Sequence, residues 1–431
     1  MISTDTLHKK FKTCAGASTD SRSIAPGSMF FALKGPNFDA NTLAVEALSK
    51  GARFAVVDDP IVVQDDRFLL VPDVLTAIQD LAKYHRRNFN LPVIAITGSN
   101  GKTTTKELVH AVLASDRHTL ATSGNLNNHI GVPLTLLRLT AEHEIAIIEM
   151  GANKPGDIAE LAAVAEPTHG LITNIGKAHL EGFGNFDGVV RTKTELYQFI
   201  RGKEGLLFVN AEDKLLMEKS AGMNRVTYGY TPLCNTTGRS SGSGPFLELI
   251  FQGRGNIDHT VKTHLIGDYN LPNALAAIAI GQYFKIPDKR IAQALSEYRP
   301  GNNRSQFIDT GRNRLIMDAY NANPSSMAAA LENFAAMASK EPKLAILGDM
   351  LELGAATEME HLAIIDLTQR LGIDTRMVGG SFKSAAAGAG PACFETTEDL
   401  LAALKAEPIQ GRLILLKGSR GIKLETVVPE L

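Results

Sequence analysis

The run Thr97-Gly98-Ser99-Asn100-Gly101-Lys102-Thr103-Thr104 holds the residue types that bind a polyphosphate. Gly98 and Gly101 let the backbone turn tightly enough for successive N–H groups to converge on one anion. Lys102 supplies a mobile charge for the outer phosphates, and Thr103 a hydroxyl for Mg²⁺, with Thr104 beside it. An apolar, β-branched run, 93–96, leads into this turn, and a helix-permissive segment, 106–114, follows it. Strand, glycine-rich turn and helix start together make an anion site, because the helix N-terminus adds unpaired donors and a positive dipole end. A nucleoside triphosphate site is therefore expected. The common form of such loops has a glycine five residues before Gly101, where this chain has Ile96, so the loop is a compact variant.

The elements that must hold this loop alternate. Apolar runs recur at 145–148, 170–173 and 206–209, with helical stretches between them. That alternation predicts an α/β domain built on a mostly parallel sheet with helices on both faces. Ligands bind such sheets at the carboxyl ends of the strands, and Glu149, Asn174 and Asn210 stand there. Glu149 can hold a cation directly or through water; as an isolated residue it would be a solvated strand end. His179 and Lys193 follow, and by pattern alone they read as a structural histidine and a surface lysine. The run 124–133 reads as a polar turn in which Asn127 is one of three asparagines suited to amides or phosphate oxygens. Asn270 is a cap candidate for the helix that contains Asn273.

Two further units flank this one. Residues 1–90 read as a small α/β domain with two polar loops, one carrying Ser21 and Arg22 and the other Asp39. Arg22 has the fork geometry for a diphosphate, although Asp-Ser-Arg in a loop is also an ordinary turn. Residues 91–300 form the central domain, with a boundary near Pro92. Residues 301–431 form a third α/β domain after a hinge-like connection at 300–303. Its strands end in Asp318, in Asp349, and in Lys417-Gly418-Ser419-Arg420. Ser325 is expected to cap the helix that follows Pro324. The stretch 236–244, rich in Thr, Ser and Gly, reads as an exposed loop.

The order T-G-S-N-G-K-T-T, G-N-L-N-N-x-I-G-V-P, E-M-G-A-N-x-P-G-D-I, T-N-I-G-x-A-H-L-E-x-F-G, K-x-E-L and N-x-x-N-A-L-A-A resembles the Mur ligase family. The resemblance implies that Lys102, Thr103 and Thr104 handle the phosphates of ATP and a first Mg²⁺. It implies that Thr103, Glu149, His179 and Lys193 form the metal site, Lys193 standing where the family carries a lysine carbamylated on its amine. Carbamylation turns a cation into an anion able to hold a second Mg²⁺. Asn270 and Asn273 match asparagines near the adenine, with Tyr269 where relatives commonly have His. Arg304, Asp318 and Asn323 would face the nucleotide from the third domain. The family's acid pair is Met317-Asp318 here, so only the second acid is present. In the first domain, Ser21, Arg22 and Asp39 match the uridine-nucleotide positions, with Ala40-Asn41 replacing the usual Gly-His.

The runs D-x-Y-N-A-N-P, L-G-D-M-x-E-L-G and K-G-S-R resemble the branch that joins D-Ala-D-Ala to the carboxylate of UDP-MurNAc-tripeptide. Asp349, Lys417, Ser419 and Arg420 are the candidate dipeptide contacts, and Lys102, Lys193, His179 and Arg304 the candidate catalytic set. The implied architecture has three α/β domains: a small N-terminal one, a central P-loop ATPase domain and a Rossmann-like C-terminal one. A sibling amide ligase acting on a shorter UDP-linked peptide or a folate, a small-molecule kinase, and a nucleotide-binding scaffold remain as alternatives.

Composition bounds the partners. A net charge of -2 over 431 residues gives no electrostatic footprint for nucleic acid. Three cysteines, far apart, form no metal-ligand spacing and fit a reduced, cytoplasmic setting. No apolar run approaches the ~20 residues of a membrane span, and the first residues lack the pattern of a signal peptide. A monomer is the default expectation.

Overall fold

Strand Val93–Thr97 is buried along its whole length. Val93 and Ala95 join the core on one face, Ile94 and Ile96 the core on the other. This is how a strand in the middle of a doubly covered parallel sheet must be built. The structure is a computed structural model, and it describes residues 1–242, 244–301, 306–386 and 392–431.

Three main sheets organise the chain. The first has four parallel strands in the order Ala17–Ser18, Met29–Phe31, Phe54–Val57 and Phe68–Leu70. The central sheet has nine. Starting from its antiparallel edge, the order is Asp258–Ile266, Phe246–Gln252, Thr236–Ser240, Arg225–Gly229, Leu206–Asn210, His169–Ile172, Val93–Thr97, Ile145–Glu149 and Thr119–Ala121. The third has six, in the order Gln306–Asp309, Arg314–Asp318, Leu413–Lys417, Lys343–Gly348, Asp374–Val378 and Ala392–Phe394, and only its first pair is antiparallel.

Helix Val74–Arg86 joins the first unit to the second. One continuous apolar cluster runs from Leu7, Phe31, Val56 and Ile78 into Val93, Leu136, Ile158 and Leu196. The buried Arg86 guanidinium pins the joint by donating to the carbonyls of Ala165, Phe89, Leu91 and Glu166. Burying that charge is tolerable because several carbonyl dipoles face it and the Glu166 carboxylate stands near.

Stretch 236–244 departs from the sequence reading. It is strand as far as Ser240, pairing parallel with Arg225–Gly229 and antiparallel with Phe246–Gln252. Gly238 is not a turn glycine: a Cβ there would lie 2.5 Å from Leu275 Cδ2, so it marks a close approach of helix to sheet. Two expected helix caps also differ. Helix Pro324–Ala336 is capped by Asn323, in a reciprocal box with Ser326, and not by Ser325. Asn270 makes no cap bond to the helix Leu271–Tyr283, because its side chain is committed elsewhere.

Candidate active site

The phosphate loop is held by the neighbouring strand end. Gly98 has φ +142° and Gly101 φ +76°. A Cβ on Gly98 would fall 2.0 Å from Thr173 Oγ1, so the close approach itself demands glycine. Thr173 Oγ1 donates to the Asn100 carbonyl at 2.6 Å. Asn174 accepts the Asn100 N–H through Oδ1 at 3.0 Å and returns an amide bond to its carbonyl. Ser99 Oγ donates to the Gly176 carbonyl and accepts its N–H. Thr97 donates to the Met150 carbonyl at 2.7 Å. The loop is thus preorganised by side chains that a bound phosphate need not displace. Helix Lys102–Ala114 starts directly from it, and Lys102 Nζ bridges the carbonyls of Gly98 and Ser99.

Thr105, Asn273 and Asn270 form a chain beside the loop. Thr105 Oγ1 donates to Asn273 Oδ1, Asn273 Nδ2 to Asn270 Oδ1, and Asn270 Nδ2 to the Ile266 carbonyl. A Cβ on Gly101 would touch Asn273 Oδ1 at 2.8 Å. The two asparagines therefore position the start of the phosphate helix as well as the cavity wall.

Glu149 ends its strand 1% exposed. Its Oε1 accepts from Thr103 Oγ1 at 3.1 Å and from Asn127 Nδ2 at 2.7 Å. Its Oε2 is buried with no hydrogen-bond partner among the described residues. A buried, half-satisfied carboxylate beside a threonine hydroxyl is a donor set for a hard cation with oxygen ligands. His179 and Glu149 line the same cavity. Among the described residues no three His, Cys, Asp or Glu side chains converge as a metal cage, so the Thr103 hydroxyl and the substrate's own oxygens would have to complete one.

Lys193 is 1% exposed, with its amine 5.5 Å from the centre of the Phe183 ring. Burial pushes its pKa well below the usual lysine range, and the Lys102 charge pushes it the same way. Sequence pattern alone gives a surface lysine; the structure makes it an interior one on helix Phe186–Gly202.

The third domain walls one side of the cavity, whose volume is about 740 Å³. Asp318, Tyr320, Asn321, Asn323, Lys417 and Arg420 face the phosphate loop across it. Lys417, 2% exposed, pairs with Asp318 at 2.5 Å. The Arg420 guanidinium lies over the Tyr320 ring at 5.6 Å. Segment 174–181 of the central domain makes several of the contacts with the third domain. Lys177 N donates to Ser325 Oγ at 3.0 Å, Lys177 Nζ pairs with the buried Glu360 at 2.6 Å, and His179 Nδ1 meets Glu352 Oε2. His179 beside it holds the Glu352 carboxyl below the ordinary range. Arg304 lies outside the described residues.

Sequence comparison agrees with this arrangement. Residues 96–281 match the sequence profile of the Mur ligase middle domain, and residues 303–420 that of the Mur ligase, glutamate ligase domain. The chain is 35% identical, over 96% of its length and 93% of the relative's, to the UDP-N-acetylmuramoyl-tripeptide–D-alanyl-D-alanine ligase of Bacillus subtilis (strain 168). The chain belongs to the Mur ligase family. The enzyme of the same name from Escherichia coli (strain K12) is 35% identical over 97% of this Mur ligase and 94% of its own length. Among solved structures, MurF from Acinetobacter baumannii superimposes with a TM-score of 0.87 at 31% identity, covering 99% of this chain and 97% of that one.

Not every expected site residue of this Mur ligase reaches the cavity. Asp349 is turned inward, where Oδ2 accepts the Ser381 N–H at 2.8 Å and Oδ1 the Phe382 N–H at 2.9 Å. It holds the start of helix Gly380–Ala386, a backbone role that a strand-end aspartate fills readily. Ser419 is likewise buried, its Oγ accepting the Leu351 N–H at 3.0 Å. Of the four candidate dipeptide contacts, Lys417 and Arg420 therefore line the cavity and these two shape the loops behind it. In the first domain, Ser21 is buried and its carbonyl accepts from Lys50 Nζ. Arg22 is exposed and paired with Asp20. Asp39 binds Asn41 and stands 3.6 Å from Lys34, which pairs at 2.9 Å with Asp58. The sequence reading passed over Lys34 and Asp58. It also missed the cleft roles of Glu352, Ser325 and Lys177, which depend on contacts between distant segments.

Proposed function

We propose that the chain is an ATP-dependent amide ligase that joins D-Ala-D-Ala to the terminal carboxylate of UDP-MurNAc-tripeptide, giving the pentapeptide precursor, ADP and phosphate. The observation that carries this reading is the single cavity walled by the phosphate loop on one side and the third domain's strand ends on the other. It joins a phosphoryl-transfer apparatus to a second recognition surface, as a ligase requires. The names of the relatives supply the substrates.

A carboxylate does not react with an amine at neutral pH because oxide is a poor leaving group. In this reading the tripeptide carboxylate attacks the γ-phosphorus of ATP and ADP leaves. The dipeptide's free amine then attacks the acyl phosphate carbonyl, phosphate departs, and the nitrogen gives up a proton. Lys102 leaves its two loop carbonyls for the phosphates and neutralises the transferring group, where positioning and electrostatics do most. Thr103, Glu149, His179 and, once carbamylated, Lys193 would hold Mg²⁺. Mg²⁺ bound there supplies charge that screens the phosphates from each other and from the incoming carboxylate. Carbamylation needs a neutral amine to attack CO₂ and release one proton, and burial favours that form of Lys193. Asp318, Asn270, Asn273, Asn323 and Arg304 are assigned to the nucleotide, and Lys417 and Arg420 to the incoming dipeptide. Ser21, Arg22 and Asp39 are assigned to the UDP end. The third domain excludes water from the acyl phosphate. No helix among the described residues is long and apolar enough to cross a membrane. A cytoplasmic monomer working on soluble nucleotide precursors is the setting assigned.

Phosphate release with UDP-MurNAc-tripeptide and D-Ala-D-Ala, added singly and together, tests the proposal. Release is expected only with both, alongside a pentapeptide product. Release with a single amino acid and a shorter UDP-peptide would move the assignment to a sibling ligase. Absence of release despite nucleotide binding would overturn it.

A further inference from the structure

His179 and Glu352 are brought together from different domains. His179 precedes the short helix Leu180–Phe183 of the central domain, and Glu352 lies in the loop after strand Lys343–Gly348 of the third. His179 Nδ1 meets Glu352 Oε2, and Glu181 N donates to the Glu352 carbonyl at 3.3 Å. Both residues have left-handed backbones, φ +51° and +65°. Non-glycine residues adopt that conformation at a cost, and surrounding structure holds them there mainly where a site needs it. Both side chains line the cavity that contains Glu149 and the phosphate loop.

His179 Nδ1 is buried and meets no hydrogen-bond geometry in this arrangement, with Glu352 Oε2 the acceptor beside it, so a small rotation of either side chain completes the bond. A neutral imidazole has one N–H and one lone pair. A carboxylate accepts only, so with the pair aligned Nδ1 carries the proton and Nε2 keeps the lone pair. That is the form a cation requires, and a carboxylate behind a histidine also fixes the ring's direction. We propose that Glu352 is a positioning residue for His179, presenting its Nε2 lone pair to the cation of the phosphate site. Because the carboxylate belongs to the third domain, the histidine is fixed only while the two domains are in contact. The proposal rests on the reading of His179 as a metal-site residue.

The test measures Mn²⁺ affinity in the presence of ADP by electron paramagnetic resonance of free Mn²⁺, using the full chain, with thermal unfolding as a control for folding. E352A is expected to weaken Mn²⁺ about 10- to 100-fold while ADP affinity without metal is unchanged. E352Q, whose carbonyl oxygen can still accept from Nδ1, is expected to recover most of the loss. The double variant E352A/H179A should bind Mn²⁺ no more weakly than H179A alone. If H179A weakens Mn²⁺ and E352A does not, the positioning role is overturned and the metal reading of His179 stands. If neither variant changes Mn²⁺ affinity, both are overturned. An E352A loss that persists undiminished in the H179A background would show Glu352 acting by another route and would also overturn the proposal.

Discussion

Asn323 Nδ2 donates to Asn100 Oδ1 at 2.7 Å, tying the third domain directly to the phosphate loop. The same Asn323 side chain caps helix Pro324–Ala336 through its oxygen. One residue therefore starts a helix with one end and reports domain contact with the other. The two roles separate by substitution. Serine keeps the cap but is too short to reach Asn100, so N323S should raise the KM for ATP about fivefold, the worth of one neutral hydrogen bond. N323A should show the same KM and lose about 1 kcal/mol more stability. Steady-state kinetics and urea unfolding measure both, and an N323S enzyme with unaltered KM would remove the contact from the working cycle.

Gly98 cannot carry a side chain where it stands. G98A places a methyl against Thr173 Oγ1 and asks alanine to hold φ +142°. The loop must shift, with a cost of about 3 kcal/mol from overlap and strain combined. Loss of ADP binding by calorimetry is expected, together with a lower urea midpoint. Normal ADP binding by G98A would show that the observed loop geometry is not the binding one.

Lys193 links chemistry to stability. Its pKa is depressed in the folded state, so between that depressed value and the ordinary 10.5 the unfolded chain binds the extra proton. Stability in CO₂-free buffer should therefore rise with pH through that window. K193M should be more stable than the parent near neutrality and lose this part of the slope. Bicarbonate should restore activity to CO₂-stripped parent enzyme but not to K193M, and native mass spectrometry should show the parent heavier by one CO₂. No response of the parent to bicarbonate would exclude the carbamate.

His169 sits far from the phosphates, packed against Phe208, Tyr283 and Phe284. Burial lowers its pKa to about 4. The unfolded chain takes up its proton near pH 6.5, so stability falls as the pH drops from about 6.5 to about 4. The total is about 3 kcal/mol. H169F should flatten the dependence of the urea midpoint on pH in that interval, and a slope like the parent's would assign the acid sensitivity elsewhere.

What could be read from the chain beforehand was what is local. Gly98, Gly101 and Lys102 follow an apolar strand within a few residues, so their spacing already encodes the turn, the helix start and the anion. The three α/β units were legible for the same reason. Burial and long-range partners were not. Lys193 has the sequence context of a surface lysine, and only packing on Phe183 makes it interior. Asp349 and Lys417 both end strands of one sheet, yet one turns in to cap a helix and the other faces the cleft. Nothing in their neighbouring residues distinguishes them. Ser325 reads as the cap of the helix that follows Pro324, but Asn323 takes that position and leaves Ser325 to accept from Lys177. Gly238 sat in a run whose composition suggested a loop, when the glycine was there to admit Leu275.

Strand Leu413–Lys417 lies between Arg314–Asp318 and Lys343–Gly348, in the middle of the third sheet. It is also the sheet strand that leaves the ribosome after all the others of that domain. Until it emerges, the two strands that flank it have no ladder between them, and Asp318 lacks Lys417. The phosphate loop and its helix, by contrast, can fold as soon as the central sheet is complete. During synthesis, then, the nucleotide half of the cavity exists for a time without its opposing wall. A nascent chain can occupy that half with nucleotide but has no second wall against which to spend it.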